Sequence, residues 1–151
     1  MADEPGHASA TGPASSLPPE LQAAGASPDD RTAAAVAHIL GPLFSFVGPL
    51  VFYFVKRNSG SRFVLFHIRQ AIWYQVVLLG ALVVLVVPLV PLLLMATAED
   101  GEPVMACAGM LADAAVFFVL GLAAIAYAIY GAVRVGSGKD FEYAWVGRWL
   151  R

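Results

Sequence analysis

Three apolar runs without one charged residue, Ala33 to Val55, Ala71 to Ala98 and Ala114 to Val133, restrict the folding options of this chain more than any other feature. As helices rising ~1.5 Å per residue they reach roughly 34, 42 and 30 Å, enough to span a hydrocarbon core of about 30 Å. An open sheet leaves backbone groups unsatisfied in lipid, and these runs lack the apolar and polar alternation of barrel strands, so helix remains. The expected fold is all-α, a three-helix transmembrane bundle with helices at about 33–55, 71–98 and 110–133. A chain of 151 residues that is 59% hydrophobic and 13% charged is too apolar for an ordinary soluble domain.

Charge placement predicts an orientation. The turn from Lys56 to Arg69 and the stretch from Arg134 to Arg151 hold eight basic and two acidic residues, whereas the first 31 residues and the segment Glu99 to Asp113 hold nine acidic and one basic. Cytoplasmic loops collect Lys and Arg, and interfaces collect Trp and Tyr. If the chain crosses at each run, all eight Trp and Tyr also fall on the basic side. The expectation is a multi-pass protein of the bacterial inner membrane with its N-terminus outside and its C-terminus cytoplasmic. Residues 1–31, acidic and carrying Pro5, Pro13, Pro18, Pro19 and Pro28, read as a disordered tail without the basic start of a secretory signal. Residues 32–151 read as one membrane domain. It ends in a short amphipathic segment around Trp145 and Trp149 that lies on the inner surface or is solvated.

One boundary stays open. Val104 to Leu111 is also apolar and can extend the third helix outward, which carries Asp113 to membrane depth. The alternative leaves Asp113 in the outer headgroup region, near a helix N-terminus whose dipole favours a carboxylate.

Within the spans, His38, Gly41, Ser45 and Gly48 recur at spacings of three and four, and Gly121, Ala124 and Ala128 form a second small stripe. Such faces let helix backbones approach, so the two are expected to meet. Pro42, Pro49, Pro88 and Pro91 should bend the first two helices. His38 is the one ionisable side chain in the first run, and a neutral imidazole bonded across the bundle or near the outer interface is expected. At the inner end of the second run, Arg62, Phe66, Arg69 and Trp73 share one helical direction and His67, Gln70 and Tyr74 another. Basic residues among aromatics at a cytoplasmic interface suit anionic lipid or a docked partner, and also suit a plain membrane anchor.

The sequence holds no nucleotide-cradling glycine loop, no paired histidines at zinc spacing and no nucleophile elbow. Gly136-Ser137-Gly138-Lys139 lacks the first glycine of a phosphate loop, and the single Cys107 excludes an intramolecular disulfide. No catalytic, metal or cofactor-binding residue is therefore assigned, and a non-enzymatic role is expected.

Certain residues carry a family resemblance. They are His38, Gly48-Pro49-Leu50 followed by Lys56-Arg57, the stretch Arg62-Phe63-Val64-Leu65-Phe66-His67-Ile68-Arg69-Gln70-Ala71, and Gly138-Lys139 with Tyr143. Together they resemble a bacterial membrane family of unknown function. That family is similar to the twenty-kilodalton subunit of the chloroplast inner-envelope import channel (Tic) and to small magnetosome-membrane proteins. The resemblance spans roughly Thr32 to Arg151, and Ala144 stands where such sequences often carry proline. It implies a small helical membrane domain without an assigned activity. The function expected is contact with helices and partners in protein translocation or membrane organisation; the alternative is an oligomeric small transporter or pore. Expected partners are membrane lipids and a protein partner or further copies of the chain, not nucleic acid.

Overall fold

A computed structural model of the chain describes residues 17–97 and 103–150. Two 3-10 turns, Pro19–Leu21 and Ala23–Gly25, precede six helices: α1 (Pro28–Phe44), α2 (Val47–Lys56), α3 (Arg62–Val86), α4 (Leu89–Thr97), α5 (Pro103–Gly136) and α6 (Val146–Trp149). The fold is all-α, with no strand among the described residues. Two stretches, Arg62–Thr97 and Pro103–Gly136, are long and apolar enough to cross a membrane.

The first apolar run is not the single helix expected over 33–55, so the three-helix bundle gives way to a different arrangement. It breaks at Ser45, whose φ of 54° and ψ of −148° lie outside helical space. α2 then folds back against α1, and Gly48 makes the reversal tight. A Cβ on Gly48 would stand 2.8 Å from the Leu40 carbonyl oxygen and 2.9 Å from the Phe44 Cβ. The small face of this run is thus divided: His38 and Gly41 turn toward the bundle, while Gly48 serves the bend.

The second run also differs. The stretch from Arg62 to Gln70, ahead of the helix expected over 71–98, forms the first turns of α3, with Ser61 Oγ accepting from the Val64 amide at 3.4 Å. Pro88 separates α3 from α4, since it lacks an amide donor and its ring crowds the preceding turn. α5 begins at Pro103, seven residues before the expected 110, and takes in Val104 to Leu111. Asp113 is half-buried ten residues inside that helix, beyond the first turn where the dipole acts.

The tail expected to be disordered is ordered from Leu17 onward. Leu17 and Ala23 are buried, and Ser27 caps α1 by accepting from the Asp30 amide at 3.1 Å, with Pro28 at the first helical position and two acids in the first turn. Ser, Pro and Asp in that order are a helix start, because each relieves or complements amides with no partner in the helix. Residues 1–16, 98–102 and 151 lie outside the described residues.

α1 wedges between α3 and α5, and the core gathers at this end of the molecule around Ala34, Ala37, Val64, Ile68, Val135 and Tyr143. Away from it, α3, α4 and α5 expose Val84, Leu94, Leu111 and Phe118 at 64% or more. Apolar surface of that extent suits lipid and not water.

Candidate functional site

Buried polar side chains gather where α1, α3 and the segment after α5 meet. His38 Nε2 lies 3.1 Å from His67 Nδ1, and His38 Nδ1 lies 3.1 Å from the Tyr143 hydroxyl. The Tyr143 amide donates to Gln70 Oε1 at 2.8 Å. All four side chains are essentially removed from solvent. His67 and Gln70 stand three residues apart on α3 and so face the same way, while Tyr143 arrives from the C-terminal segment.

Ring contacts enclose this chain. Tyr74 and Tyr143 stack face to face with centroids 4.0 Å apart and planes within 1°, and Phe141 meets His38 edge-on at 5.4 Å. Tyr74 donates to the Ala124 carbonyl at 3.1 Å, tying α3 to α5. Gly131 permits the C-terminal segment to fold back, since a Cβ there would stand 2.5 Å from the Phe141 ring. Burial pushes the Tyr143 hydroxyl well above its ordinary pKa, with Tyr74 and Tyr127 adding in the same direction. Tyr143 is therefore a neutral hydroxyl, able to give one proton and accept others.

Each nitrogen-to-nitrogen contact needs one protonated and one bare atom. If Tyr143 donates to His38 Nδ1, His38 carries its proton on Nε2 and donates to His67 Nδ1, leaving the His67 proton on Nε2. The opposite polarity is equally consistent: His67 donates to His38 and His38 to the tyrosine oxygen. A chain with two mutually exclusive polarities orients its three members together. The Gln70 amide nitrogen is buried and has no partner among the described residues, its orientation being set by the bond from Tyr143.

Three of the six residues expected at a lipid or partner surface thus belong to the interior instead. Gln70 is bonded to the returning C-terminal segment, His67 is buried against His38 of α1, and Phe66 is buried too, edge-on to His67 at 5.4 Å. Arg62, Arg69 and Trp73 remain exposed. Arg62 pairs with Glu20 at 3.7 Å, and the Arg69 guanidinium stands 5.9 Å from the Tyr53 ring. Around them lie Arg134, 5.9 Å from the Tyr130 ring, and the exposed Trp145 and Trp149. The C-terminal segment is clasped into the bundle by Phe141, Tyr143 and Val146, and presents its tryptophans outward.

The two small stripes do not simply meet. Gly41 faces Gln75 of α3, with a would-be Cβ 2.5 Å from Nε2, while Ala128 is buried on α5. Gly41, Ser45 and Gly121 instead border a cavity of about 300 Å³ with Leu82 and Phe117, mostly apolar, beside the last turn of α1. Ala124 lines the same cavity while its carbonyl receives Tyr74. Sequence reasoning missed Tyr143 as the centre of the polar chain. The signal available was a hydroxyl-bearing ring close to basic residues, which also marks an ordinary interface anchor.

No cluster of three or more metal-ligating side chains occurs among the described residues. Residues 29–150 match the family described as the magnetosome magnetite crystal formation protein family (MamF_MmsF). The chain belongs to that family. The match runs from the second residue of α1 through α6, and so includes the His38, His67 and Tyr143 chain and the basic, aromatic end. Membership accords with the resemblance to small magnetosome-membrane proteins, whereas nothing supports the likeness to the Tic import channel. No curated protein and no solved structure matches the chain.

Proposed function

We propose that this member of the magnetosome magnetite crystal formation family is a non-enzymatic membrane-organising protein, acting through lipid and partner contacts at its basic, aromatic-rimmed end. The observation that carries the reading is the gathering of exposed Arg62, Arg69, Trp73, Trp145, Arg148 and Trp149 around one buried clasp. Exposed guanidinium groups attract anionic headgroups, and indole rings prefer the boundary between headgroup and acyl chain. The hydrogen-bonded chain beneath them ties α1, α3 and the C-terminal segment together and so supports that surface in one shape.

The membrane is that of the bacterial cell, with the basic end on the cytoplasmic side. The test is replacement of the chromosomal copy by a variant with Arg62, Arg69 and Arg148 changed to Gln. Crystal size and membrane dimensions are then compared by electron microscopy at equal protein level. Smaller or misplaced crystals are expected; wild-type crystals from such a variant refute the reading. The cavity beside Gly41 and Gly121 favours, as a second reading, an oligomeric pore or transporter. Flux of ions across liposomes holding the purified chain would support that alternative.

A further inference from the structure

We infer that α1 and α2 form a re-entrant hairpin, which enters the membrane from the basic side and returns to it without crossing. This inference rests on the membrane reading above and adds a topology to it. The chain then crosses twice, through α3 with α4 and through α5, and residues 17–31 share a side with the C-terminal segment. That reverses the orientation expected for the N-terminus.

Three contacts place the start of α1 at the basic end. The Ala23 amide donates to Asp140 Oδ1 at 2.7 Å, Glu20 pairs with Arg62 at 3.7 Å, and a Cβ on Gly138 would stand 2.5 Å from Arg31 Nη1. These join the approach to α1 with the start of α3 and the end of α5. α2 comes back to the same end, where Tyr53 lies beneath Arg69 and Lys56 leads into the turn before Arg62. Both limbs therefore begin and finish beside the same residues.

Depth follows from the opposite tip. Ser45 borders the cavity together with Gly121, and twelve residues separate Gly121 from Val133, the last uncharged residue before Arg134. At ~1.5 Å per residue the tip reaches about 18 Å into a core of about 30 Å. It stops short of the far side.

The chemistry of the tip agrees with that depth. Leu43, Phe44, Phe46 and Val47 are all exposed there, at 41 to 65%, with Ser45 the one polar side chain among them. The turn at the other end, Arg57-Asn58-Ser59-Gly60-Ser61, is polar throughout. A reversal facing water has no reason to display four large apolar side chains, whereas one inside lipid does. Its backbone is also suited to lipid. Pro49, third residue of α2, removes one of the first-turn amides that no helix bond can satisfy, and the Leu50 amide bonds the Phe46 carbonyl at 3.1 Å.

Charge distribution supplies an independent check. With the first run crossing, the basic residues divide eight to one between the two sides. With a hairpin all nine lie on one side, opposite Glu99, Asp100, Glu102 and Asp113 with no base among them. The bias that orients membrane proteins becomes complete.

The test uses the full chain in bacterial membranes, prepared as right-side-out spheroplasts and as inverted vesicles, and a membrane-impermeant maleimide as probe. Ala24→Cys and Ser59→Cys, both at exposed positions, are each made in a Cys107→Ser background, and the unaltered chain reports Cys107. The hairpin requires that the cysteines at 24 and 59 react from the same side and Cys107 from the other. Reaction at 24 from the side of Cys107 overturns the hairpin while leaving a membrane protein. Release of the chain by alkaline carbonate, or Cys107 reacting from the side of position 59, overturns the membrane reading and the hairpin with it.

Discussion

Changing Tyr143 to Phe isolates the polar chain from the packing around it. The variant keeps the stack on Tyr74 at 4.0 Å and the edge contact with Phe141, and removes only the hydroxyl 3.1 Å from His38 Nδ1. Because His38 is 1% exposed, water cannot replace the lost partner. Leaving a buried polar group unmatched costs about 1–3 kcal/mol. His38→Ala removes both ring nitrogens and opens a void beside Phe141, so its own cost is larger, about 2–5 kcal/mol by comparison with other large-to-small core changes. The informative quantity is the coupling. Once His38 is gone, removing the Tyr143 hydroxyl no longer strands an imidazole nitrogen, and the double variant should be more stable than the sum predicts by about 0.5–3 kcal/mol. The assay is unfolding of the four proteins in mixed detergent micelles, followed by circular dichroism. Additive effects within error would refute the claim that hydroxyl and imidazole act as one unit.

Further outcomes follow from other contacts. Tyr143 has its hydroxyl pKa raised in the folded state by burial first and by Tyr74 and Tyr127 second, so its contribution is complete at neutral pH and is lost as pH climbs above about 10, where the unfolded phenol ionises; unfolding titrations should show a steeper alkaline decline in the native chain than in Tyr143→Phe. Gly48→Val forces a side chain against the Leu40 carbonyl and should destabilise by about 1–3 kcal/mol, whereas Gly80→Ala meets open space and should be neutral or stabilising by up to ~1 kcal/mol, as thermal melts of the two variants would reveal. Asp140→Ala takes away the acceptor for the Ala23 amide at 2.7 Å and should cost about 1 kcal/mol, with faster proteolysis between Leu17 and Ser27 than in the native chain. Unchanged cleavage rates would show that the approach to α1 is held by other contacts.

How much of this was readable in advance varies from residue to residue. His38 bonded across the bundle follows from the scarcity of partners in lipid, yet which partner it would find did not. His67 and Gln70 read as surface residues because Arg62 and Arg69 beside them are basic; Gln70 is met by a segment more than seventy residues away and His67 by His38 of α1. The Ser27-Pro28-Asp29-Asp30 helix start was present in plain letters, but it stood within a proline-rich acidic stretch whose average composition argued for disorder.

The first apolar run marks the division most sharply. Length and absence of charge are local properties, and they suffice to choose helix and lipid, since an unpaired backbone is prohibitively costly there. They also mark the turn before Arg62 and the stretch after Val133 as basic, because charge content needs no partner. Whether 23 apolar residues cross or return depends on what lies beside their midpoint. Gly41-Pro42 and Gly48-Pro49 permit either a kinked crossing or a reversal, and the packing of α1 between α3 and α5, clasped by Tyr143 at one end, selects the reversal. Long-range contact energies made that choice, and they are a property of the assembled fold and not of any single window of residues.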